Sequence, residues 1–219
     1  MTEFIKVSPA LLQEHAGNIR EDVHLYWRGC LLARYWMWKR LEKLVEDIST
    51  FAPGGDVLDM GGGLGLLLPS LSRHFQFVTL LDLETSVAEK IRRVYNLTNI
   101  QTLQANVLQH SFPARRFDTV IAAAFLEHFR QPDEVLERIE NTLKPRGLLF
   151  VDLPTENWVY RLGRALGNIQ KPPDHYHDAG DIKPLLLKRF HLVRERYLPP
   201  RPVALYYQAV LKKPEARRD

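Results

Sequence analysis

Residues 57–65 read Val57-Leu58-Asp59-Met60-Gly61-Gly62-Gly63-Leu64-Gly65, and this stretch decides the fold. A short apolar run ends in an acid, glycines follow at alternate positions (Gly61, Gly63, Gly65), and Leu66-Leu67-Leu68 then opens a helix-like run. Glycine has no Cβ and tolerates positive φ, so such a strand–turn–helix lets a ligand lie directly against backbone. A dinucleotide fingerprint needs G-x-G-x-x-G/A. Counted from Gly61 the sixth position is Leu66, and counted from Gly63 it is Leu68, so both registers fail.

Outward from this turn, strand-like and helix-like segments alternate. The strands are expected at 56–60, 77–82, 100–104, 117–123 and 147–153, each rich in Val, Ile, Leu or Phe. Helices are expected between them at 65–74, 85–95 and 132–143, the last opening on Pro132. This alternation predicts parallel strands with helical crossovers, hence an open doubly wound α/β sheet. Two further strands, 190–197 and 203–211, are separated only by the Pro-rich Leu198–Pro202. So short a connection suits an antiparallel pair. Before the turn, residues 21–48 read as a helix in which Leu31, Tyr35, Trp38, Leu41, Val45 and Ile48 recur near the helical period. Phe51-Ala52-Pro53-Gly54-Gly55 breaks it. The expected organisation is an N-terminal helical cap or lid (1–50), then a ligand-binding domain (51–219) with an acceptor-side insertion at 154–178.

The chain's 219 residues, 45% of them hydrophobic, can bury one sizeable core. Its single cysteine, Cys30, excludes a disulfide framework within the chain and suits a reducing compartment. Met1-Thr2-Glu3-Phe4-Ile5-Lys6 lacks the basic and apolar segments of a secretory signal. No apolar run approaches the roughly 20 residues of a membrane span. A cytoplasmic protein is therefore expected. The net charge is +4, but Lys and Arg are spread over the chain, so no specific nucleic-acid partner is expected.

An acid, one more residue and then G-x-G-x-G resembles motif I of the class I S-adenosylmethionine (SAM)-dependent methyltransferases. The pattern F-D-x-V followed by L-E-H, carried here by Phe117-Asp118-Thr119-Val120 and Leu126-Glu127-His128, is a second match. The resemblance covers residues 56–211. It implies a Rossmann-like seven-stranded sheet, mostly parallel with an antiparallel last strand, and SAM as cofactor with S-adenosylhomocysteine as product. By the same resemblance, Asp59 and Gly61, Gly63 and Gly65 cradle the aminoacid part of SAM. Asp82, at the end of the second strand, binds the ribose hydroxyls, with Leu83 beside it and Glu84 as runner-up; alternatively Asp82 caps the next helix. Asn106 and Val107 meet the adenine. Many relatives carry an acid where Asn106 stands, though the Asn carbonyl can still accept. Ala123 and Ala124 let the methionine part approach the strand end.

SAM carries an already activated methyl group, so the expected tasks are alignment of an acceptor, exclusion of water and removal of a proton. The candidate bases are His128, after the fourth strand, and His175 and His177, before the last helix. Histidine titrates near neutrality. If that segment is extended, His175 and His177 point the same way. A metal would need further ligands and no cysteine is near, so none is expected. The Asn/Asp-Pro-Pro-aromatic tetrapeptide of enzymes that methylate base amines is missing: Ala124-Phe125-Leu126-Glu127 stands there.

The expected activity is methyl transfer to a small or lipid- or glycan-linked acceptor, most simply at oxygen. Two other readings stay open: a methyltransferase-like binding protein without turnover, and an RNA methyltransferase. Aromatic and basic residues of the N-terminal helix (Trp27, Trp36 and Trp38 beside Arg28, Arg34 and Arg40) would suit a lid, a peripheral membrane contact or plain packing on the sheet.

Overall fold

In the computed structural model, residues 2–13, 24, 26–27, 30–166 and 173–215 are described. The strands are β1 (Asp56–Met60), β2 (Phe77–Asp82), β3 (Ile100–Gln104), β4 (Phe117–Ala123), β5 (Leu143–Pro154), β6 (His191–Leu198) and β7 (Tyr206–Lys212). The helices are α1 (Pro9–Gln13), α2 (Leu31–Phe51), α3 (Leu68–His74), α4 (Ser86–Val94), α5 (Pro132–Thr142), α6 (Trp158–Leu166) and α7 (Ala179–Arg189). A 3-10 turn, Leu126–His128, follows β4.

The seven strands form one sheet in the order β3-β2-β1-β4-β5-β7-β6. Strands β1 to β5 pair in parallel, and β7 runs antiparallel to both β5 and β6. The expected doubly wound sheet with an antiparallel last strand is therefore present. Strand order reverses between β1 and β4, and ligands of open α/β sheets bind beyond the carboxyl ends at such a switch point.

Side chains alternate across the pleat, so each strand feeds two cores. Val57, Val78, Leu80, Ile121 and Phe150 face the layer of α2, α3 and α4. Leu58, Leu81, Val120, Leu149 and Val151 face that of α5 and α7. Burial on both faces explains why these strands read as continuous apolar runs.

Helix α2 begins at Leu31, capped by the Cys30 thiol accepting from Ala33 N–H; most of the expected 21–30 stretch lies outside the described residues. Met37, Trp38, Leu41, Leu44, Val45 and Ile48 form its buried stripe, while Leu31 and Tyr35, expected on that stripe, are 80% and 52% exposed. Trp27 and Trp38 are buried and Trp36 is partly so, which is ordinary packing on the sheet. Strand β5 begins earlier than expected, its start at Leu143 pairing with Phe117 across an irregularity in register. Helix α7 is set by a capping box in which Asp178 accepts from Gly180 and Asp181 N–H, and Asp181 returns a bond to the Asp178 N–H. Among the described residues, no helix is long and apolar enough to cross a membrane.

Candidate active site

A cleft of about 480 Å³ opens at the carboxyl ends of β1, β2 and β4. The turn after β1 forms its floor. Gly61 (φ +72°) donates to the Leu81 carbonyl at 2.7 Å, and a Cβ there would lie 2.0 Å from the Phe125 ring. Gly63 (φ +52°) is the opposite case: a Cβ there would meet nothing within 4 Å. No packed neighbour therefore requires glycine at this position. Gly65 packs away from the cleft, its Cβ position 2.9 Å from the Ala88 Cβ of α4.

Two carboxylates flank the turn. Asp59 is 2% exposed, and its Oδ2 has no hydrogen-bond partner among the described residues. Burial, followed by repulsion from Asp82, pushes its carboxyl up to about 7. Asp82, at the end of β2, accepts from Gly63 N–H at 2.8 Å through Oδ2 and from Glu84 N–H at 3.2 Å through Oδ1. It therefore caps the glycine turn rather than α4, which begins at Ser86 behind Thr85. Leu83, 67% exposed, forms the rim.

Val107 is buried and lines the cleft beside Asn106. The Asn106 Oδ1 expected to accept from a ligand amine already accepts from Leu108 N–H at 2.9 Å. That leaves its amide nitrogen, a donor, as the group available to a ligand. Ala123 and Ala124 line the opposite wall. Ala124 has φ +51° and donates to the Asp152 carbonyl at 2.7 Å, turning the chain into the 3-10 helix.

At the far end stand Glu127, His128, Asp174 and His175. Two backbone bonds bring these segments together: Tyr176 and His177 N–H both donate to the Glu127 carbonyl, at 2.9 and 3.4 Å. The His128 and His175 rings meet edge to face, centroids 4.7 Å apart. Asp174 Oδ2 lies 3.0 Å from His128 Nδ1. His177 does not join them. Its Nε2 is 3.2 Å from the Arg130 carbonyl, its Nδ1 is 3.7 Å from Asp181, and it is not part of the cleft wall. The two histidines thus do not face the same way, because the capping box at Asp178 turns the chain into α7.

A third wall is formed by Tyr26, Met37, Arg40, Tyr160 and Tyr206; the N-terminal segment and residues 154–178 were expected near the acceptor, but the buried network behind this wall was not read from the sequence. Arg40 Nη1 donates to Asp152 Oδ2 at 2.5 Å and Nη2 to the Tyr26 hydroxyl at 2.8 Å. Gln208 Nε2 joins this network, donating to the Arg40 carbonyl at 2.7 Å and to Asp152 Oδ1 at 3.0 Å. Burial raises the Tyr206 hydroxyl well above its ordinary value, so it stays protonated. A signal existed: Arg40 falls on the apolar stripe of its helix, and Asp152 interrupts the run Leu148–Leu153.

A family model described as a methyltransferase domain matches residues 33–196. Among curated relatives, the ubiquinone/menaquinone biosynthesis C-methyltransferase UbiE of Psychromonas ingrahamii is 33% identical over 122 residues, 52% of this chain and 47% of that protein. The chain spans about half the length of the curated relatives it matches. Among solved structures, the N-methyltransferase NodS of Bradyrhizobium japonicum WM9, in complex with S-adenosyl-L-homocysteine, superposes with TM-score 0.69 at 17% identity, covering 94% of this chain and 97% of that one. Magnesium protoporphyrin IX methyltransferase of Synechocystis PCC 6803, with bound SAH, gives 0.69 at 16% identity, covering 94% and 100%.

Proposed function

Because this chain belongs to the methyltransferase-domain family, we propose that it is a SAM-dependent methyltransferase acting on a small or lipid-linked acceptor, most simply at oxygen. The observation that carries this reading is the glycine turn held between two carboxylates. Gly63 leaves open space above backbone, Asp59 presents a buried oxygen with no hydrogen-bond partner among the described residues, and Asp82 stands across the turn. These residues fit SAM: Asp59 toward its cationic aminoacid end, Asp82 toward the ribose, Val107 and the Asn106 amide toward the base.

SAM supplies a methyl group already activated on a sulfonium. What remains for the chain is to orient the acceptor, exclude water and remove a proton. In the metal-free protein we assign the last task to His128, oriented by Asp174. His175 stands against it and braces the ring. His177, outside the cleft wall, is given no part. The wall of Tyr26, Arg40, Tyr160 and Tyr206 offers aromatic faces and donors to the acceptor's body.

A lipid-borne acceptor at a cytoplasmic membrane surface is favoured by one further feature. The helices that supply Met37, Arg40 and Tyr160 to the cleft also expose Leu31, Leu32 and Tyr35 (α2) and Trp158 and Leu162 (α6). Apolar side chains beside Arg34 and Arg161 suit an interfacial contact.

Calorimetric titration with SAM, S-adenosylhomocysteine and NAD tests the cofactor. Micromolar binding of the first two, with none of NAD, is expected; binding of NAD alone would overturn the reading. An acceptor screen with radiolabelled methyl then tests turnover.

A further inference from the structure

We propose that Glu127, His128 and His175 form a site for a first-row divalent cation of the zinc type, with an open coordination position facing the cleft. The binding claim stands apart from methyl transfer; only its use on the acceptor rests on the function proposed above. One ligand atom from each residue can be chosen so that all three lie within 4.8 Å of one another. Metal–ligand distances near 2.1 Å place neighbouring ligands about 3.4 Å apart in a tetrahedral site. Side-chain ends must therefore close by up to about 1.4 Å.

The donor set is two imidazoles and one carboxylate, the kind that holds catalytic zinc through three protein ligands while a fourth position stays open. Hard cations such as magnesium prefer all-oxygen sites and should bind poorly. His128 shows its Nδ1 to Asp174 Oδ2 at 3.0 Å, while Glu156 Oε1, 3.8 Å from His175 Nδ1, lies beyond hydrogen-bond reach. An outer carboxylate placed as Asp174 is orients a metal-binding histidine and leaves its Nε2 for the cation. The His175 side chain is 8% exposed, and its Nδ1 has no hydrogen-bond partner among the described residues. The two bonds from Tyr176 and His177 N–H to the Glu127 carbonyl hold the separate segments in this relation.

A bound cation would turn His128 from a proton acceptor into a ligand. An acceptor hydroxyl entering the open position would lose its proton more readily, as metal-bound water does, and release it to solvent. Its oxygen would then form the bond to the methyl carbon as the methyl–sulfur bond breaks, the electron pair remaining on sulfur.

The test is titration of metal-free, tag-free full-length protein with Co²⁺, read by visible absorbance, then displacement by Zn²⁺. One saturable equivalent is expected. Glu127→Gln and His175→Ala should each weaken it by more than about a hundredfold, beyond the 10- to 100-fold typical of losing an outer partner. His177→Ala should leave it unchanged. Circular dichroism melting checks that each variant is folded, and His175→Gln replaces His175→Ala if the latter is not. Absence of saturable binding, or loss in His177→Ala with retention in both His175 variants, would overturn the proposal. Cation binding without any binding of SAM would leave the metal site standing while sinking the proposed function.

Discussion

The Asp82 carboxylate accepts from the Gly63 N–H at 2.8 Å, so the acid that ends β2 is bonded to the glycine turn that follows β1. Strands β1 and β2 are in register from Asp56 with Phe77 to Met60 with Leu81, which places Asp82 one step beyond the pairing and level with the turn. One side chain therefore fixes the floor of the cleft and faces its interior.

Asp82→Ala is expected to abolish most SAM binding. Two charge-assisted hydrogen bonds at about 1.5–3 kcal/mol each correspond to a loss of a hundredfold or more. Affinity for S-adenosylhomocysteine measured by calorimetry checks this, and unchanged affinity would remove Asp82 from the ribose.

Gly63→Val should block the cofactor cradle. At φ +52° a branched side chain is strained, and the space it would fill is the cleft itself. A variant that bound S-adenosylhomocysteine normally would show the ligand lying elsewhere.

Asp59 gives a pH dependence with a definite sign. Its folded carboxyl titrates at about 7 against 3.8 for the ordinary group, because burial and then Asp82 disfavour the charge. The folded state therefore holds a proton that the unfolded state has lost between roughly pH 4 and 7, and the stability of the ligand-free protein falls as pH rises through that window. The full difference is on the order of 4 kcal/mol at 1.36 kcal/mol per tenfold in proton affinity. Asp59→Asn should raise the ligand-free Tm at pH 8 by about 5 °C or more, while weakening SAM binding. Melting curves at pH 5 and 8 decide it; a wild-type Tm that rises over this range would contradict the assignment.

His128→Ala should lower turnover by about 10²- to 10⁴-fold with cofactor affinity intact, the range for a lost general base. His177→Ala should leave turnover within about twofold, because its ring is held by the Arg130 carbonyl outside the cleft wall. Equal losses in the two variants would return the search to Glu127 and His175.

Arg40→Met should destabilise by about 3–5 kcal/mol, since it strands the buried Asp152 carboxylate. Burial already pushes that carboxyl up against the pull of Arg40. Arg40→Met with Asp152→Leu should recover much of the loss, as read by denaturant melts. No recovery would mean that Gln208 and Tyr26 hold the network without the ion pair.

The sheet, its order and its switch point were legible in the sequence because strands buried on both faces show as apolar runs, punctuated by turns of fixed chemistry. The acid and glycine spacing around Gly63, and Asp82 at the end of β2, were legible for the same local reason: a strand end and the turn after it lie within a few residues of each other. Asn106, Val107, Ala123 and Ala124, at other strand ends, were also named from the sequence and line the cleft, but the contacts between its distant segments were not legible. Glu127 and His128 meet His175, and Arg40 meets Asp152, only through tertiary packing. His175 and His177 looked equivalent in sequence, and the capping box at Asp178 sent one into the cleft wall and the other away from it. Local sequence determined where the glycine turn would form. Which histidine lines the cleft, and which carboxylate the buried Arg40 meets, was decided by chain segments distant in sequence, whose pairing no local pattern encodes.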